Sequence, residues 1–95
     1  MLFVALNTHP AAQCPLNTDQ GKMMIKELFS ESNVQKAGLK IQGAYVSCPK
    51  DSAADHKGFF IVEANSSADV TKFFGPMTVE VREVVPFSEV AKTLS

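Results

Sequence analysis

No apolar run in this 95-residue chain approaches the ~20 residues that a bilayer-crossing helix requires. The opening MLFVALNTHP is apolar but has no basic n-region, and it is too short for a signal peptide with a small-residue cleavage site. An excess of one charge is missing too: 9 Lys and Arg stand against 10 Asp and Glu, a formal net charge of −1. That balance gives no electrostatic footprint for nucleic acid or for an anionic membrane. Cysteine is scarce. Cys14 and Cys48 are the only two, and no Cys-x-x-Cys anchors a standard zinc signature. They could pair with each other, but with no sign of export the expectation is free thiols in the cytoplasm. Internal repeats and low-complexity tracts are absent as well. What is there, 45% hydrophobic and 20% charged residues, is the composition of one globular domain with a small core.

The stretch KGFFIVEAN, residues 57–65, is the most apolar strand candidate, with His56 just before it. Residues 2–8 form a second apolar strand, Phe3, Ala5 and Asn7 on one side and Leu2, Val4, Leu6 and Thr8 on the other. His9-Pro10 ends it, because proline has no N–H for a ladder. A helix is predicted from Asn17 or Thr18, with Asn17 as a cap, Gln20 in the capping-box position and Asp19 at the positive dipole end. Gly21, Met24, Ile25, Leu28 and Phe29 give its apolar face. A further short turn is predicted over 34–37, closed by Gly38 as a left-handed cap.

Residues 39–48 read as a strand of mixed polarity, Leu39, Ile41, Gly43, Tyr45 and Ser47 alternating with the rest, and Gly43 could mark a bulge. Pro49 stops it, and 50–55 reads as a hairpin loop. Ser66-Ser-Ala-Asp69 is a helix start, followed by the stripe Val70, Phe73 and Phe74 and the stop Gly75-Pro76. A last strand over 77–85 alternates Val79, Val81, Glu83 and Val85 with Thr78, Glu80, Arg82 and Val84. A short helical tail over 88–94 follows.

This order predicts an α+β, ferredoxin-like βαββαβ domain over 1–95, a four-stranded antiparallel sheet with two helices on one face. The first and third strands take the centre, and the second and fourth the edges. Because the central strands are apolar on both faces and helices cover only one, the bare face needs a cover. A second copy of the chain, pairing sheet to sheet, is the simplest one. A large apolar ligand is the competing cover.

Four ordered pieces carry a family resemblance: Thr8-His-Pro with Cys14-Pro; Gly38-Leu-Lys-Ile-Gln-Gly-Ala-Tyr-Val; His56 leading into Phe-Phe-Ile-Val-Glu63-Ala-Asn; and Phe73-Phe-Gly-Pro-Met with Val84-Val-Pro86. Over nearly its whole length the chain resembles a small family, itself without a defined activity, in the dimeric α/β-barrel superfamily. The resemblance implies a ferredoxin-like fold paired as a homodimer. Relatives in that superfamily include muconolactone isomerase, quinone-forming monooxygenases, haem-degrading enzymes and ligand-binding regulators. No motif of theirs matches here, so no catalytic residue transfers.

The antiparallel plan brings His9, at the end of the first strand, and His56, at the start of the third, to one rim. Cys48 and the loop carrying Cys14 fall there too. Three readings stay open for this cluster. His9 or His56 could move a proton on a bound substrate, with Asn7 or Tyr45 as hydrogen-bond partner. Two imidazoles and two thiolates suit zinc or copper. Or the histidines cap and bond backbone while the cysteines fill space. Glu63 is a further candidate base, sharing a face with Phe59 and Ile61 and paired with Arg82 if that face is enclosed. The leading expectation is a cofactor-free, small-molecule-binding homodimer, of isomerase or oxygenase type if it is an enzyme. Asn7, Tyr45, Phe59, Ile61 and Arg82 would line its site. A metal-binding module and a non-catalytic dimerisation domain are the alternatives.

Overall fold

Burial alternates along the two most apolar strands, and that alternation sets the architecture. In the computed structural model, which describes residues 1–48, 55–75, 77 and 79–94, β1 (Leu2–His9) and β3 (His56–Glu63) lie side by side at the centre. β2 (Lys40–Val46) flanks β3 and β4 (Val79–Val84) flanks β1, giving the order β2-β3-β1-β4 with every pairing antiparallel. Phe3, Ala5 and Asn7 of β1 and His56, Gly58, Phe60 and Val62 of β3 are buried on one face. The opposite face carries Leu2, Val4, Leu6, Phe59 and Ile61, all more exposed, as the pleat demands.

The buried face meets α1 (Asp19–Leu28), α2 (Glu31–Lys36) and α3 (Ser67–Phe74). α3 contributes Val70, Phe73 and Phe74, all buried, to a core that also holds Phe3, Phe60, Val62 and Leu39. Phe29 stacks on Phe60, with centroids 5.4 Å apart and planes 17° apart. Each such aromatic or aliphatic side chain taken fully from water stabilises the fold by roughly 1.5–3 kcal/mol. α1 buries none of its residues fully. It touches the core through Leu28 and Phe29, while Met24, expected on its apolar face, is 40% exposed.

Local chemistry explains the boundaries. Ser66 Oγ accepts from the Asp69 N–H at 3.2 Å, the predicted helix start. The cap of α1 is Thr18 rather than Asn17: Thr18 Oγ1 accepts from the Gly21 N–H at 3.0 Å. Asn17 instead spends its amide on the Ala11 carbonyl, at 3.0 Å. α2 starts earlier than the expected turn because Ser30 Oγ accepts from the Asn33 N–H at 3.3 Å. Gly38, at φ 74°, makes the left-handed exit that a Cβ would strain.

The bulge expected at Gly43 is present, with the β2–β3 register shifting between Ile41 and Gly43. It corrects the simple alternation read from the sequence. Ile41 opposes Val62 on the helix-covered side, whereas Gly43 and Tyr45 oppose Ile61 and Phe59 on the open side. The extra residue, Gln42, reaches Glu63 through its amide at 3.0 Å. The loop expected over 50–55, the Pro49 and Pro76 stops and the place of Thr78 fall wholly or partly outside the described residues. α4 (Phe87–Ala91) forms the tail. No helix among the described residues is long and apolar enough to cross a membrane.

Candidate metal centre

The β1–β3 register sets His9 directly opposite His56. Their rings meet edge to face, with centroids 5.3 Å apart and planes at 80°. β2 is tied to the same end: the Ser47 N–H donates to the Lys57 carbonyl at 2.9 Å, and Ser47 Oγ accepts from the Lys57 N–H at 3.0 Å. Cys48 follows at once. Because the bulge has already switched faces, Val46 opposes the buried Gly58, and Cys48, two residues on, arrives on the side of the histidines.

Cys14 comes from the loop after β1, at the junction of two 3₁₀ turns, Ala11–Gln13 and Pro15–Asn17. The Cys14 N–H donates to the Ala11 carbonyl at 3.3 Å, and the Cys14 carbonyl accepts from the Asn17 N–H at 3.0 Å. Gly21 of α1 lies against the second turn so closely that any Cβ there would overlap the Pro15 carbonyl. Glycine therefore lets the helix press the Cys14 loop onto the rim.

The four donor atoms of His9, Cys14, Cys48 and His56 all lie within 4.8 Å of one another. Tetrahedral coordination with Zn–N and Zn–S bonds of 2.0–2.3 Å needs donors about 3.3–3.8 Å apart. His9 Nε2 and Cys48 Sγ are already at 3.7 Å. The widest pair would have to close by about 1 Å.

Each histidine is in a state suited to ligation. Asn7 Oδ1 accepts from His9 Nδ1–H at 2.8 Å, which leaves the Nε2 lone pair facing Cys48. A second hydrogen bond of that kind is how metal-bound histidines are oriented. Burial, then the neighbouring His56, lowers the His9 pKa below its usual 6.5 against an opposing pull from Asp55, so His9 is neutral at neutral pH. His56 is 5% exposed, and neither of its ring nitrogens has a hydrogen-bond partner among the described residues. A buried polar group left this way costs roughly 1–3 kcal/mol. Burial, and then the hydrogen bond and charge of Cys14, raise the Cys48 pKa, so an incoming cation must displace a proton there.

Beside this cluster lies an almost wholly apolar pocket of about 240 Å³ between α1 and the sheet, walled by Ile25, Phe29, Ala44, Val46, Phe60 and Met77 with His9, Cys14 and Cys48 at one side. The helical stripe at Ile25 and Phe29 reads in sequence as core, which hid their place in a pocket wall.

The other sequence candidates lie elsewhere. Glu63 is exposed and bonded to Gln42. It stands at the opposite end of β3 from His56, seven residues or roughly 23 Å away. Tyr45, Phe59 and Ile61 share the open face, across the sheet from the buried histidine. Arg82 pairs with Glu80 at 3.0 Å, both well exposed. Asn7 alone of the expected lining residues meets the cluster, as the partner of His9. No protein family, curated protein or solved structure matches the chain.

Proposed function

We propose that this chain is a small metal-binding protein that holds one soft d¹⁰ ion, zinc(II) or copper(I), on His9, Cys14, Cys48 and His56. The observation that carries the proposal is the buried imidazole of His56, with neither nitrogen partnered among the described residues, inside a cluster that also offers one oriented imidazole and two thiols. As core filler, His56 would be a net cost; as a ligand its nitrogen gains a partner. Four protein donors make a closed site, of the structural or ion-carrying kind rather than one with a free position for water. The two thiols favour zinc and copper(I) over magnesium, calcium or manganese. Cobalt(II) substitution tests it. Intense thiolate-to-cobalt absorption with tetrahedral d–d bands, saturating at one equivalent, is the expected spectrum. A weak octahedral spectrum would remove the reading.

Asn7→Ala should weaken metal binding by about 10–100-fold while leaving the fold intact, since it removes the hydrogen bond that orients His9. Competition with a chromophoric chelator measures this. The pH dependence follows from the ligand states. His9 is already neutral at neutral pH, but both thiols must deprotonate on binding. Apparent affinity should therefore rise with pH by up to about a hundredfold per unit between the imidazole and thiol ranges. A flat titration between pH 6.5 and 8 would contradict thiolate ligation.

The strand order supports a ferredoxin-like plan, and the open face supports pairing with a second copy. Leu2, Val4, Leu6, Phe59 and Ile61 lie on it, and Phe59 is 43% exposed at its middle. Phe59→Asp should convert a sedimenting dimer to a monomer with little change in circular dichroism. A monomeric parent protein at micromolar concentration would dismiss the pairing. Free thiols accord with a reducing, cytoplasmic setting. The apolar pocket supports a second reading, a site for a small uncharged molecule. On that reading alone, without a metal, cobalt(II) would give no thiolate band.

A further inference from the structure

We propose that Cys14 and Cys48 are a redox modification site, at which a small soluble disulfide converts the two thiols to one intramolecular disulfide and so releases the metal. The release half rests on the metal reading above; the disulfide half rests on the thiols themselves. Both cysteines are free, and although far apart in sequence their sulfurs lie within 4.8 Å. A disulfide joins sulfurs about 2.05 Å apart, so the pair must close by about 3 Å or less. Neither residue is held inside a regular element. Cys14 sits between two short 3₁₀ turns, and Cys48 is in the turn just after β2. Modest loop movement can supply the closure.

Access to the two sulfurs is graded. Cys14 is 5% exposed, whereas Cys48 is half-buried beside the open pocket. A soluble disulfide therefore meets Cys48 first. The Cys48 sulfur attacks one reagent sulfur, the reagent S–S bond breaks, and one small thiolate leaves. Cys14, too enclosed to meet the reagent itself, then attacks the Cys48 sulfur of the mixed disulfide and expels the second thiolate. Two cysteine sulfurs are oxidised and one reagent disulfide is reduced to two thiolates; in the metal-free chain these take the two cysteine protons, and in the metal-loaded chain, whose cysteines are already thiolates, they take protons from solvent as the ion leaves. The product keeps only two imidazoles as donors, too few for a structural site.

The test uses the full chain, tag-free and loaded with zinc(II), treated with oxidised glutathione. Intact mass under denaturing, non-reducing conditions reports the thiols, and a chromophoric chelator reports released zinc. The expected result is loss of two hydrogens with no glutathione adduct, zinc release in step with it, and reversal of both by dithiothreitol. Metal-free Cys14→Ser, with folding checked by circular dichroism, should stop as a stable glutathione adduct on Cys48. Metal-free Cys48→Ser should react at least about tenfold more slowly than Cys14→Ser, because the enclosed thiol is left alone. A wild-type chain that retains the adduct, forms only intermolecular disulfides or stays reduced while holding zinc overturns the proposal and leaves the metal site standing. A chain that binds no zinc before the oxidant is added overturns the site and the release half together, and the mass of the oxidised metal-free chain then decides the disulfide half alone.

Discussion

His56→Ala should abolish high-affinity metal binding. The residue supplies one of four donors, and loss of a direct donor costs more than the 10–100-fold that follows loss of an outer hydrogen bond. The effect also appears as stability. Free zinc at a hundred times its dissociation constant stabilises the folded state by about 2.7 kcal/mol. In a domain of this size that raises Tm by roughly 10–20 °C. The wild-type chain should show this rise on zinc addition and His56→Ala should show none. Without metal, the two proteins should differ by less than about 1 kcal/mol, because relief of the unsatisfied nitrogens offsets the cavity left behind. A histidine kept only for packing predicts the reverse: a destabilised variant in the absence of metal, and no zinc-dependent difference. Differential scanning fluorimetry with and without zinc separates the two.

Phe74→Ala should be the most damaging core substitution. Phe74 is fully buried and packs against three other rings, Phe60 at 5.0 Å, Phe73 at 5.1 Å and Phe29 at 6.0 Å between centroids. Removing it deletes the ring and leaves a cavity that the sheet cannot fill, a loss of about 3–5 kcal/mol. Small domains hold about 5–15 kcal/mol in all, so urea denaturation should show the midpoint falling by about a fifth or more, or no folded baseline at all. A midpoint shift worth less than about 1 kcal/mol would mean that α3 does not seal the core in this way.

Much of this arrangement is written in the sequence, and for identifiable reasons. β1 and β3 announce themselves as central because Phe3 and Ala5, and Phe60 and Val62, each alternate with further apolar residues. The shared rim follows from connectivity: an antiparallel pair must bring the end of β1 beside the start of β3, and the edge strand that leads into β3 delivers Cys48 to the same end of the sheet. Other features lie below the resolution of pattern. Thr18 and Asn17 are both good caps, and only the tertiary partner of Asn17, the Ala11 carbonyl, decides between them. The bulge at Gln42 inverts the faces of β2, so Tyr45, adjacent to the histidines in a flat reading, ends on the far side of the sheet. Glu63 shares a strand with His56 but at the other end, which strand length alone could have signalled. The approach of Cys14 depends on two 3₁₀ turns and on Gly21 against Pro15, none of which has a linear signature. The buried state of His56 follows from its parity with Phe60 and Val62; the lack of a partner for its nitrogens among the described residues does not.

Four side chains from three separate segments of the chain stand or fall together as the ligands of one ion. The decisive experiment is elemental analysis of the tag-free protein, purified and then equilibrated with zinc or with copper(I) under reducing conditions. One equivalent of metal per chain should be retained through gel filtration and lost in both Cys14→Ser and His56→Ala. Metal well below one equivalent, or one equivalent that persists unchanged in those two variants, would contradict this shared ligation.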